Sequence, residues 1–192
     1  IIMAALTVVA ILLTRNLKVK NPGKRQVALE FVVTKLQSMA EDMLGEGAAQ
    51  YAQYIVTVLI YLAVANLIGL CGFKPPTKDL NVTAALAIMS IILIEAAGIR
   101  AKGVKRWAKS FAEPIAIVAP LNVLEIVIRP LSLCMRLFGN VLGAFVIMEI
   151  IKHLCGLILP IPFSLYFDVF DGLIQAYVFV FLTSLFIREA TE

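Results

Sequence analysis

The chain has 192 residues, of which 61% are hydrophobic and only 16% charged, so a soluble domain would lack the polar surface to cover itself and lipid is the expected solvent. Seventeen basic residues against thirteen acidic ones leave a formal charge of +4. In a soluble protein that excess would suggest nucleic acid; here the position of the basic residues matters more than their sum, and no nucleic-acid partner is expected.

Cys71, Cys134 and Cys155 are odd in number, lie in apolar runs and show neither CxxC nor Cys/His spacing. They read as small buried apolar side chains. His153 is the only histidine, so a His-based metal site or a catalytic triad has almost nothing to be built from. No nucleotide motif is present, and neither metal nor cofactor is expected. The chain opens Ile-Ile within an apolar run and reads as a fragment or a processed chain.

In chain order, residues 1–14 read as the end of a first span, followed at once by Arg15, Lys18, Lys20, Lys24 and Arg25 around an Asn21-Pro22-Gly23 turn. Residues 24–46 alternate Val27, Phe31, Met39 and Met43 with Glu30, Lys35, Gln37, Glu41 and Asp42, the pattern of an amphipathic helix on the membrane surface or between spans. Residues 48–72 carry no charge and are long enough to cross about 30 Å of hydrocarbon. Residues 80–100 form a second crossing, interrupted by Glu95 and ended by Arg100, Lys102, Lys105, Arg106 and Lys109 beside an interfacial Trp107. Residues 115–158 are mostly apolar and, if helical, would extend well beyond the hydrocarbon thickness, so the helix must tilt strongly or break at Pro130 or near Gly139 and Gly143. Residues 163–190 form a last long apolar helix carrying Asp168, Asp171 and Gln175. The fold class is an all-α integral membrane protein, a single membrane domain over residues 1–192 that ends in two long tilted helices forming a hairpin.

The two basic clusters are separated by two crossings and therefore share a side, which the positive-inside rule makes cytoplasmic. The long helix then runs outward, the last helix runs inward, and the C-terminus is cytoplasmic.

Arg136 stands inside the longest apolar run. An arginine at membrane depth costs roughly 3 kcal/mol on insertion scales and cannot practically deprotonate, so it must face protein or water. Pairing to a buried carboxylate for packing alone is the alternative, and functional use is preferred. Arg129 lies nearer the cytoplasmic end and suits interfacial anchoring as well as function. Arg129, Arg136 and Asn140 share roughly one helical face, with Gly139 and Gly143 beside it as a small-xxx-small pair. On α-helical spacing Asp168, Asp171 and Gln175 also share one face. Glu149, Asp168 and Asp171 fall on the outer side of Arg136, and Glu125 and Glu95 on the cytoplasmic side. That order reads as two ion-accessible half-paths separated by a permanent positive charge.

The runs PLSLCMRLFGN and GLIQAYVF, preceded by PPTKDLNVT and GIRAKGVKRW, resemble the bacterial F-type ATP synthase subunit a family in order and spacing over nearly the whole chain. The resemblance implies a non-catalytic stator channel beside the rotor ring of c subunits, with b-type peripheral stalk subunits as further partners, in the lipid bilayer of a bacterial plasma membrane. It implies that Arg136 faces the ring's ion-binding carboxylate, that Asn140 and Gln175 are its polar neighbours, and that Arg129 matches a basic residue before the proline. The ion is H+ or Na+. Seven residues before Gln175 some members have a histidine and others an acid, here Asp168; nine residues after the arginine some have a glutamate, where this chain has Phe145. Glu149, with Asp168 and Asp171, is expected to supply the missing outer ligand. A free-standing secondary transporter and an intramembrane hydrolase are the competing classes; the first lacks an internal repeat, and the second needs two carboxylates converging from different elements.

Overall fold

The computed structural model describes residues 7–8, 10–12, 14, 23–45, 47–71, 75–104, 107, 119–155 and 160–191. Four of its helices are long and apolar enough to cross a membrane: Ala49–Leu67, Leu80–Lys102, Leu124–His153 and Pro162–Thr191. No strand occurs among the described residues, and the protein is an all-α, multi-pass membrane protein. The span end expected at 1–14 is described only in part. Lys105, Arg106 and Lys109 lie outside the described residues.

Local chemistry sets the helix ends. α1 (Lys24–Leu44) stops at Gly45, whose φ of 76° is open to glycine and whose N–H donates to the Glu41 carbonyl at 2.9 Å. α2 (Ala52–Leu67) is entered through a 3-10 turn at Ala49–Tyr51 and left through another at Ile68–Cys71. α3 (Leu80–Lys102) is capped by Asp79, whose carboxylate accepts the Asn81 N–H at 2.9 Å, and it ends at Gly103 with φ 78°. α4 (Ala119–Cys155) is a single 37-residue helix that carries Pro130 inside it. Of the two expectations for this segment, the break is absent: the helix runs through Pro130, Gly139 and Gly143. Such a helix extends about 55 Å against a hydrocarbon core of about 30 Å, so it fits a bilayer only obliquely or with its ends outside. A short α5 (Pro160–Ser164), a π-helical segment (Leu165–Asp171) and α6 (Gly172–Thr191) then follow one another without a gap.

α2, α3 and α6 form the centre, with Ile55, Leu62, Ile94, Ala97, Phe179, Val180 and Ile187 buried between them. The C-terminal half of α1 closes one end through Ala40 and Leu44, and α4 packs on through Leu133, Cys134 and Leu137. Many of the buried positions are small or hydroxylated, such as Ala65, Ser90, Ala176, Thr183 and Ser184, while Ile88, Ile92, Phe181 and Leu185 point outward. In lipid that distribution is favourable. Small residues let backbones approach, large apolar ones lose nothing by facing acyl chains, and the Thr183 and Ser184 hydroxyls donate to carbonyls one turn back.

Candidate functional site

α4 and α6 lie antiparallel and are joined by two polar links. At one end, Arg129 Nη2 donates to Glu125 Oε2 on its own helix and to Glu189 Oε1 on α6, both at 2.9 Å. The Arg129 guanidinium also lies 5.0 Å from the centre of the Phe186 ring. Both carboxylates are more than half exposed, so each pair is screened and contributes a fraction of a kcal/mol. The geometric effect is larger than the energetic one, because the guanidinium is locked between two helices. One cation between two carboxylates leaves the cluster with a net negative charge.

The second link lies about 16 Å further along α4, where Asn140 Nδ2 donates to Gln175 Oε1 at 2.6 Å. Gln175 is buried, and its Nε2 has no hydrogen-bond partner among the described residues. Arg136 lies between the two links. Its side chain is exposed and makes no ion pair or hydrogen bond among the described residues. Around it Leu131, Met135, Leu142 and Val146 are also exposed, and a Cβ added at Gly139 or Gly143 would meet nothing within 4 Å. The small-xxx-small pair therefore packs against no helix among the described residues. Only 22% of the α4 span is buried, against 39% to 44% for the other three, so α4 presents the largest uncovered face.

Beyond Gln175 the structure departs from α-helical spacing. Leu165–Asp171 is a π-helix, in which Gly172 N–H reaches the Phe167 carbonyl five residues back. Its wider turn rotates each residue by less than an α-helix does, so the step from Asp168 to Asp171 is not the one an α-helical count assumes, while Asp171 stays four residues before Gln175 at the start of the α-helical winding. Asp171 is half-buried without a hydrogen bond or ion pair among the described residues. The Asp168 side chain lies outside the described residues. Glu149 is exposed, also without such a partner. Phe145 is covered by Lys78, whose Nζ lies 3.4 Å from the ring centre, a cation–π contact of roughly 0.5 to 2 kcal/mol. Glu95 accepts the Trp107 indole N–H at 3.0 Å, which ties the tryptophan to the end of α3.

Family comparison decides what kind of protein carries this arrangement. The family model "ATP synthase A chain" matches residues 1–188. The chain is 38% identical to "ATP synthase subunit a 2" of Bradyrhizobium sp. over 99% of its own length and 85% of that relative's. It is 36% identical to ATP synthase subunit a of Moorella thermoacetica (98% and 86%) and 32% identical to that of Legionella pneumophila (100% and 83%). The chain belongs to the ATP synthase A chain family.

Within this A chain, three contacts escape a reading of motifs. Glu189 is one, although it lies fourteen residues after Gln175 and so near its helical face, a signal the sequence does contain. Lys78 over Phe145 is the second, and nothing local announces it. The third is Asn66, an amide deep in an uncharged apolar run, which is buried and bonded to two other segments.

Proposed function

We propose that this chain is the ion-translocating stator channel subunit of a rotary F-type ATP synthase, working against a ring of c subunits and held by b-type stalk subunits. The observation that carries the reading is Arg136, an unpaired guanidinium on the uncovered apolar face of α4. At membrane depth that charge calls for a counter-charge, and none is offered by the described residues of this chain. The open Gly139 and Gly143 surface suits close approach by another membrane helix, which brings the carboxylate.

The mechanism follows from the charges. An ion enters from the outer side past Glu149, Asp171 and Asp168, neutralises a ring carboxylate, and leaves past Glu125 and Glu95 after the ring has turned. Arg136 attracts the deionised ring carboxylate and blocks direct leakage between the two half-paths. The net negative Glu125, Arg129 and Glu189 cluster favours cations at the inner mouth. The basic residues beside the spans support a cytoplasmic position for that end and for the C-terminus. The ion is H+ or Na+. Each unit charge crossing the membrane contributes about 2.3 kcal/mol per 100 mV, so several ions must pass for each ATP made. No bond is made or broken in this chain.

The test is Arg136→Ala in the assembled complex in sealed vesicles, scoring ATP-driven pumping and passive leak separately. Loss of pumping with a rise in leak is expected. Coupled pumping at the normal rate would overturn the reading.

A further inference from the structure

The π-helical segment Leu165–Asp171 carries two of the three outer acids, and a π-helix is rarer and less regular than the α-helix it replaces. Something must hold it in that form. Asn66, near the end of α2, donates its Nδ2 to the carbonyl of Gly172 at 2.8 Å. Among the described residues this is the only side-chain hydrogen bond to the stretch from Pro160 to Gly172. The carbonyl belongs to the first α-helical residue after the π segment, so the bond marks the point where the wide turn gives way to the narrow one.

The amide is itself held from behind. Thr77, fully buried in the turn before α3, donates its hydroxyl to Asn66 Oδ1 at 2.9 Å, so the amide orientation is set on both sides. Gly172 makes the approach possible, because a Cβ there would stand 3.0 Å from the Asn66 Cβ. Three segments distant in sequence thus converge on one backbone carbonyl, within an interior where water does not compete for the bond.

We propose that Asn66 is a positioning residue for the outer half-path. Held by Thr77, it fixes the register of the π segment and so the direction in which Asp171 is presented. This rests on the channel reading above and deepens it. Without the Asn66 bond the segment relaxes toward α-helical winding, and every side chain before Gly172 rotates about the helix axis.

The experiment uses the assembled complex in sealed vesicles, with Asn66→Ala, Thr77→Val and the conservative Thr77→Ser. ATP-driven pumping is measured across ion concentrations, and single cysteines at positions 170 and 171 are probed from the outer side with a thiolate-specific reagent. A thiol facing lipid stays protonated and unreactive, whereas one facing a wet path reacts, so labelling reports direction. In the parent background position 171 is expected to label and position 170 to resist. Asn66→Ala and Thr77→Val are expected to redistribute that labelling and to raise the ion concentration for half-maximal pumping about fivefold or more, while Thr77→Ser stays within about twofold of the parent. If Asn66→Ala prevents assembly, Thr77→Val decides, because it removes only the bond behind the amide. Unchanged labelling and unchanged ion dependence in the assembled variants would overturn the proposal. Arg136→Ala in the same vesicles separates the two readings: if it still pumps, the channel reading fails, whereas if it is dead and the Asn66 and Thr77 variants behave as the parent, only the positioning role fails.

Discussion

α4 and α6 carry the candidate site together, yet they are held in opposite ways. The span containing α6 is 44% buried and turns Gln175, Phe179, Thr183 and Ile187 into the protein, whereas the α4 span is 22% buried and leaves Arg136 outside. α6 is therefore a scaffold whose polar groups are set by its own chain. α4 keeps its largest face open, with the Arg136 guanidinium exposed and without a partner among the described residues. The two touch chiefly through polar links at Arg129 and Asn140, so α6 can be packed tightly without α4 being covered.

The largest effect expected from breaking this contrast is at Arg136. Arg136→Ala should lower ATP-driven pumping by about a hundredfold or more, the equivalent of about 2.7 kcal/mol, while leaving assembly intact, because no partner among the described residues is lost. Pumping assays alongside recovery of the assembled complex check both halves of that statement. Next comes Gly139→Leu. On a scaffold helix such a change would unfold the packing; here the space is open among the described residues, so subunit stability in detergent should be unchanged while pumping falls about tenfold through a clash with the partner helix. A fall in the stability of the isolated subunit would mean that the α4 face is already covered.

The mirror experiment on the scaffold side is Gly172→Ala, where the added Cβ would stand 3.0 Å from the Asn66 Cβ. Destabilisation of about 1 to 3 kcal/mol is expected from overpacking, read as a lower denaturation midpoint of the purified subunit. Among the outer acids, Glu149→Gln and Asp168→Asn should each reduce pumping several-fold, in proportion to the charge removed from the outer path. Rates that stay at the parent level in both variants would remove these acids from the path. The smallest effect belongs to the exposed ion pair. Arg129→Gln and Glu189→Gln should each cost less than about 1 kcal/mol, and a double-mutant cycle should return a coupling of the same order that shrinks as salt is raised.

The fold class was legible because lipid imposes it: long uncharged runs, flanking basic clusters and the absence of any soluble alternative leave only membrane helices. Arg136 was legible for the same reason, since a charge in an apolar run announces itself. The spacing of Asp168, Asp171 and Gln175 was legible only in part, because counting by 3.6 presupposes an α-helix and Leu165–Asp171, which holds both acids, is wound more widely. Pro130 left two readings open, a strongly tilted helix or a broken one. It marks a possible break, and whether the helix continues depends on the neighbours that hold it.

By itself, then, the amino-acid sequence determined the solvent, the number and order of the long apolar segments, and the cation, Arg136, that stands far from the ends of the longest one. Those follow from transfer energies and charge, which are properties of residues taken in order along the chain. Only the tertiary structure decided that Arg129 is clamped between Glu125 and Glu189, that Asn140 meets Gln175, that Lys78 covers Phe145, and that Asn66 grips the carbonyl of Gly172. Apart from Glu125, which shares α4 with Arg129, those contacts join residues on different elements, and their meeting depends on crossing geometry and helix winding that no single segment encodes.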